Sequence, residues 1–161
     1  IQATISKKGT FLTVADEFHI LNNYVHLQEF RYQGSFRVRY EMEEGAGGCY
    51  IPRLILQPLV ENAILHGIDM KEKNGEIILR AKLEQDRLRL FVIDNGRGMT
   101  KEQIDTLLHS KAKKTNGLSA IGVPNIKERL ELYYGDKGGM VYQSSENGTT
   151  VEIFLPAKKE L

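Results

Sequence analysis

The sequence predicts an α/β domain, a two-layer sandwich in which about five strands of a mainly antiparallel, mixed sheet are covered on one face by about three helices. Two observations point there. Several short runs alternate apolar and polar residues with period two, as in Phe36–Met42, Ile77–Leu83 and Leu88–Ile93. Between them lie longer segments with helical spacing, so the order is helix, strand, helix, two strands, short helix, loop, helix, two strands.

From Val14 to Tyr32 there is no Gly or Pro, and Val14, Phe18, Leu21, Val25 and Leu27 suggest an apolar stripe on a first helix that Gly34-Ser35 ends. In Phe36–Met42, Phe36, Val38, Tyr40 and Met42 share one side, and Arg37, Arg39 and Glu41 the other, a strand with one wet face. Glu43–Cys49, with three glycines, reads as a loop. Pro52–His66 reads as a helix stopped by Gly67, with Pro58 kinking or restarting it. Ile77–Leu83 and Leu88–Ile93 form a hairpin across Glu84–Arg87. Glu102–Leu108 is a short helix capped by Thr100. Lys111–Ser119 is polar, basic and expected to be mobile, and Val123–Tyr134 is a helix stopped by Gly135. Met140–Ser144 and Thr150–Leu155 pair around a turn at Asn147-Gly148.

At 161 residues the chain suits one domain with a real core, and 41% hydrophobic with 27% charged residues is the make-up of a globular domain. Twenty-two Lys and Arg against 21 Asp and Glu leave a net charge of +1, which argues against a nucleic-acid surface. Cys49 is the single cysteine, so no intrachain disulfide or cysteine-based zinc cluster is possible. The longest apolar runs, near Ile55-Leu56 and Leu90–Ile93, are far below the ~20 residues that cross a bilayer, so no membrane contact is expected of this segment. The sequence opens on Ile1 without a charged-then-apolar leader and is read as a piece of a longer protein, any membrane span lying upstream.

Three segments carry candidate chemistry. In Leu56–Gly67, Asn62 and His66 are four apart and share a helix face, with Glu61 about 100° round. An asparagine oxygen suits a hard cation such as Mg²⁺, although a plain helix end accounts for Asn62 and His66 as well. Asp94-Asn95-Gly96-Arg97-Gly98-Met99 follows an apolar strand; a carboxylate there can accept from an exocyclic amine, and the glycines permit close approach or positive φ, although Asp-Asn-Gly also makes an ordinary turn. Gly117–Asn125 leads into a helix, whose N-terminal donors suit a phosphate, or it is a loop and cap without a ligand.

In this order the segments resemble the ATPase fold shared by gyrase, Hsp90, the mismatch-repair protein MutL and histidine kinases, the Bergerat or GHKL fold. Gln57-Pro58-Leu59-Val60-Glu61-Asn62-Ala63 looks most like the LytS/YesM-type sensor histidine kinases of two-component systems. Phe18–Tyr32 resembles the helix joining that family's phosphoacceptor region to its ATP-binding domain, and Asn125–Leu130 resembles its segment after the glycine loop. The resemblance covers nearly the whole chain. It implies a linker helix over residues 1–34 and an ATP-binding domain over 35–161, with an ATP lid at about 97–122.

By the same resemblance, Asn62 would hold Mg²⁺ against the triphosphate of ATP. Asp94 would accept the adenine amine, and Gly96, Gly98 and Met99 would lie along the base. Thr149 would support the adenine contact, and Gly122 and Val123 would meet the phosphates. His66, with Lys111, Lys113 and Lys114, would add phosphate contacts, though the lysines also read as a solvated loop. Glu61, the nearest carboxylate, would be a candidate base for the phosphate acceptor, or would simply hydrogen-bond and pack. The sequence departs from the family at Leu65, where many kinases carry lysine, and at Ala120, in place of the first glycine of a Gly-x-Gly pair. Pro58 occupies the position of the glutamate base in the ATP-hydrolysing relatives, which favours a kinase. The implied activity is γ-phosphoryl transfer to a histidine upstream of this segment, within a homodimeric kinase that serves a response regulator. It would be the cytoplasmic part of a bacterial membrane protein. None of His19, His26, His66 and His109 sits in the family's phosphoacceptor motif, so the chain alone is expected to bind ATP without autophosphorylation. An anti-sigma-factor-type serine kinase and a degenerate nucleotide sensor of the same fold are the alternatives.

Overall fold

A computed structural model describes residues 9–68, 72–109 and 118–161, with side chains of the last helix from Asn125 onward. The elements are β1 (Phe11–Thr13), α1 (Val14–Arg31), β2 (Phe36–Met42), β3 (Tyr50–Pro52), α2 (Gln57–Asn62), β4 (Gly75–Glu84), β5 (Arg87–Asp94), α3 (Lys101–His109), α4 (Leu118–Tyr134), β6 (Gly139–Ser145) and β7 (Gly148–Pro156). A π-helical turn, Ala63–Gly67, continues α2.

Five strands form one mixed sheet in the order β2-β4-β5-β7-β6. β2 runs parallel to β4, and the other pairings are antiparallel. The hairpins are as expected, Gln85-Asp86 and Glu146-Asn147 lying between their strands. The period-two pattern divides the faces. Ile77, Leu79 and Ala81 of β4, Leu88, Leu90 and Val92 of β5, and Val151, Ile153 and Leu155 of β7 are buried under the helices. The far face carries Arg39–Glu76, Arg80–Glu41 and Arg89–Glu152 ion pairs, side chains that belong in water.

α1 is capped by Thr13, whose Oγ1 accepts from the Asp16 amide at 3.1 Å, and it ends where Gln33 and Gly34 turn to positive φ. Its Val14, Phe18, Leu21 and Val25 enter the same core as the sheet. Leu27, counted in the sequence-read stripe, is 69% exposed. Two residues beyond Val25 it sits about 200° round the helix, which takes it off the buried face.

The second helix differs more from expectation. Pro52 is in β3, which pairs antiparallel with β1, and neither short strand is legible in the alternation. α2 begins at Gln57, so Pro58 falls in its first turn, where the missing amide hydrogen costs nothing. Leu56, the N-cap, offers no side-chain cap. Instead the fully buried Glu17 of α1 reaches across: its Oε1 accepts from Leu54 N at 3.0 Å and its Oε2 from Leu56 N at 3.3 Å. A carboxylate from another helix thus satisfies donors at the start of α2 and holds Leu54 at φ +58°. Arg129 of α4 closes the same corner by donating to the Arg53 carbonyl at 2.7 Å.

Thr100 and Gln103 form a reciprocal capping box on α3, amide to side chain in both directions at 2.8 and 3.1 Å. α4 starts at Leu118, earlier than the expected Val123, so Gly122 and Val123 have helical backbone rather than preceding the helix. The basic segment with Lys111, Lys113 and Lys114 lies outside the described residues.

Candidate functional site

Strand register sets the floor of a cleft between the sheet and α2. Ser144, Thr149, Asp94 and Ile77 stand side by side on β6, β7, β5 and β4. One step along the strands, Tyr142, Val151, Val92 and Leu79 form the next row. The first row is polar at its outer end and the second is mostly apolar. Leu59, Asn62, Ala63, His66 and Gly67 overhang both, and Met99 closes one side.

Asp94 ends β5 and is 8% exposed. Its Oδ1 accepts from the Gly96 amide at 2.9 Å and the Thr149 amide at 3.3 Å. Oδ2 faces Gly67 and has no hydrogen-bond donor among the described residues. Burial pushes this carboxyl above its ordinary range, and the two amide bonds oppose that rise. A buried carboxylate with one fixed and one uncommitted oxygen is suited to accept from an amine on a flat ligand.

Thr149 is buried, and its Oγ1 lies 2.7 Å from Ser144 Oγ. Ser144 Oγ accepts from the Met99 amide at 2.7 Å, so one hydroxyl pair anchors the segment after β5 to the last hairpin. Sequence reasoning found Thr149 and Met99 but missed Ser144; the signal was its place on the same face as Met140 and Tyr142 in an alternating run.

The glycines also serve packing within the chain, and Gly98 takes the positive φ expected of it. A Cβ on Gly96 would lie 1.6 Å from the Gly67 carbonyl oxygen, and one on Gly98, at φ +75°, would lie 1.8 Å from that of Ser145. The close approach they permit is therefore between parts of this chain. Gly67, read only as a helix stop, has a second constraint: a Cβ there would meet Asp94 Oδ2 at 2.9 Å. Arg97 fastens the same contact, its amide donating to the Gly67 carbonyl and its Nε to the His66 carbonyl, each at 3.0 Å.

Asn62 is half-buried at the cleft, and its amide makes no hydrogen bond among the described residues. His66 is exposed at the rim. Asn62 precedes the π-helical turn and His66 lies within it, and both line the cleft; such helix irregularities recur at functional sites. Leu65 is 46% exposed and does not line the cleft. Glu61 is not brought there either. It is 6% exposed, accepts from Gln57 Nε2 at 3.2 Å, and lies close enough to Tyr24 of α1 to help raise that phenol to about 12, after burial. The structure thus gathers Asn62, His66, Asp94, Met99 and Thr149 around one cleft, buttressed by Gly96 and Gly98. It leaves Glu61 out of the cleft lining, while the burial of Gly122 and Val123 lies outside the described part.

Comparison with known proteins bears on the family and the fold. The sequence profile of the histidine kinase-, DNA gyrase B- and Hsp90-like ATPases matches residues 51–159. The sensor protein LytS of Staphylococcus epidermidis is 32% identical over 94% of this chain, and the sensor histidine kinase YesM of Bacillus subtilis 28% identical over all of it. The chain spans about a quarter of the length of these relatives, 25% and 26%. Among solved structures, a nucleotide-free catalytic domain of the histidine kinase ThkA superposes with a TM-score of 0.68 at 17% identity, covering 93% of this chain and 96% of that one, a likeness of fold. No helix among the described residues is long and apolar enough to cross a membrane. With the profile spanning both the Asn62 helix and the Asp94 strand end, this chain belongs to the family of histidine kinase-, DNA gyrase B- and Hsp90-like ATPases.

Proposed function

We propose that the chain is the catalytic domain of a sensor histidine kinase, which binds ATP in this cleft and transfers its γ-phosphoryl group to a histidine on a segment N-terminal to the domain. The observation that carries the reading is the Asp94 carboxylate, buried, fixed through Oδ1 and, among the described residues, without a donor at Oδ2. An adenine amine donates to Oδ2, while Thr149 and Ser144 hold the surrounding backbone in place. Val92 and Val151 would offer the base an apolar floor, and Asn62 and His66 would stand toward the phosphates. The Asn62 amide, without a hydrogen-bond partner among the described residues, fits a neutral oxygen ligand for Mg²⁺. When bound, Mg²⁺ neutralises charge on the phosphates. The chain itself contributes orientation and exclusion of water, which is most of what phosphoryl transfer requires. Residues from about 97 to 122, of which 110–117 lie outside the described residues, would form the lid over the nucleotide, with Gly122 and Val123 toward the phosphates. Glu61 is given no step, because it is buried and does not line the cleft.

The sensor histidine kinase YesM among the relatives supports the kinase reading over plain ATP hydrolysis, as does Pro58 in the hydrolytic-base position. A ThkA structure solved with its response regulator TrrA has the same fold, and we propose a response regulator as the downstream partner here. The full kinase is proposed to be a membrane-anchored homodimer with this domain on its cytoplasmic side. The test compares the chain alone with a longer chain that carries the family's phosphoacceptor segment. The longer chain should take label from γ-labelled ATP in an acid-labile, base-stable form, and the chain alone should bind ATP without labelling. Stable phosphohistidine on the chain alone would refute the assignment of an external acceptor.

A further inference from the structure

Two buried hydroxyls lack a hydrogen-bond partner among the described residues, those of Tyr40 and Tyr142. Tyr40 packs against Phe18 of α1, away from the cleft. Tyr142 lines the cleft. It stands on the edge strand β6, opposite Val151, in the apolar row just behind Ser144, Thr149 and Asp94. Burial pushes its phenol far above the ordinary range, so the group stays neutral and keeps its proton to donate. A phenylalanine would fill the same apolar row without an orphaned hydroxyl, which is costly to bury unpaired. The hydroxyl is therefore open to a partner that enters the cleft.

We propose that Tyr142 is a base-reading residue whose hydroxyl donates a hydrogen bond to a ring nitrogen of the bound adenine. This rests on the adenine site proposed above and adds a second polar contact to it. Strand geometry supports the placement. Tyr142 lies two strands across and two residues along from Asp94, a Cα separation of roughly 12 Å. Two inward-pointing side chains and a purine over Val92 and Val151 span that distance together. Asp94 accepts from the exocyclic amine and Tyr142 donates to a ring acceptor, so the pair recognises both the donor and the acceptor character of adenine.

The experiment is calorimetric titration of wild type, Asp94→Asn and Tyr142→Phe with ADP, together with thermal melts without nucleotide. Tyr142→Phe should bind ADP about 2- to 12-fold more weakly, the loss of one neutral hydrogen bond. Its Tm without nucleotide should be equal to or above that of wild type, because the unpaired hydroxyl is gone. ADP analogues with adenine N1, N3 or N7 replaced by CH give a readout independent of the variant's folding. Wild type should lose affinity for one of them, and Tyr142→Phe should lose no more for that analogue than for ADP. If wild type binds and Asp94→Asn is weakened while Tyr142→Phe binds as wild type does, the adenine site stands and the Tyr142 contact is overturned. If no analogue costs wild type affinity, the contact is overturned as well. If wild type binds no nucleotide, both readings fall together.

Discussion

Replacing Asp94 by Asn separates binding from stability. The amide oxygen of Asn can still accept from the Gly96 and Thr149 amides that now bond Oδ1. What changes is the second position, where an uncommitted acceptor becomes an NH₂ donor facing the adenine amine. A hydrogen bond to a charged group contributes about 1.5–3 kcal/mol, so affinity for ATP or ADP should fall about 10- to 150-fold. Stability should move the other way. Burial raises the folded-state carboxyl above its ordinary value of 3.8. A raised folded value means the native state binds more protons than the unfolded chain across that window, so stability falls as pH rises. The contribution is complete below 3.8 and is lost as pH passes through the raised value. Asn carries no such slope, so the variant should gain on wild type between acidic and neutral pH. Calorimetric titration at neutral pH and paired urea melts across that range measure both effects. Binding within twofold of wild type would refute the role of Oδ2, and a variant less stable than wild type at neutral pH would refute the account of the buried charge.

Two further substitutions test the scaffold. Gly96→Ala would place its Cβ 1.6 Å from the Gly67 carbonyl oxygen, a backbone contact that nothing flexible can relieve. It should cost about 1–3 kcal/mol in urea melts and abolish measurable ADP binding; wild-type affinity would refute the packing argument. Glu17→Gln keeps the shape but turns one end of the side chain into a donor facing the Leu54 or Leu56 amide. An unsatisfied buried donor costs about 1–3 kcal/mol, so Tm should drop by roughly 2–12 °C in calorimetry. ADP affinity should fall with it, since that carboxylate holds the start of the helix carrying Asn62; an unchanged Tm would show that the helix start needs no cap.

The sequence by itself determined the sheet, because period-two runs with one charged face can be buried on one side only. Phe36–Met42, both hairpins and the Thr100 cap all appear where the pattern placed them. It also determined which residues meet at the cleft, since Asn62, Asp94 and Thr149 belong to motifs whose order is itself the signal. Tertiary structure decided the rest, where the cause is a contact between residues far apart in the chain. β1 and β3 are three residues each, too short for periodicity to register, and exist only as partners of each other. The start of α2 depends on Glu17, 37 to 39 residues away, and local propensity does not report such a carboxylate. Ser144 and Tyr142 join the site only through the register of β6 on β7. The need for glycine at positions 67, 96 and 98 arises from backbone meeting backbone, or a carboxylate, across elements. Helical period alone left the direction of Glu61 open, and packing near Tyr24 of α1 keeps it out of the cleft lining.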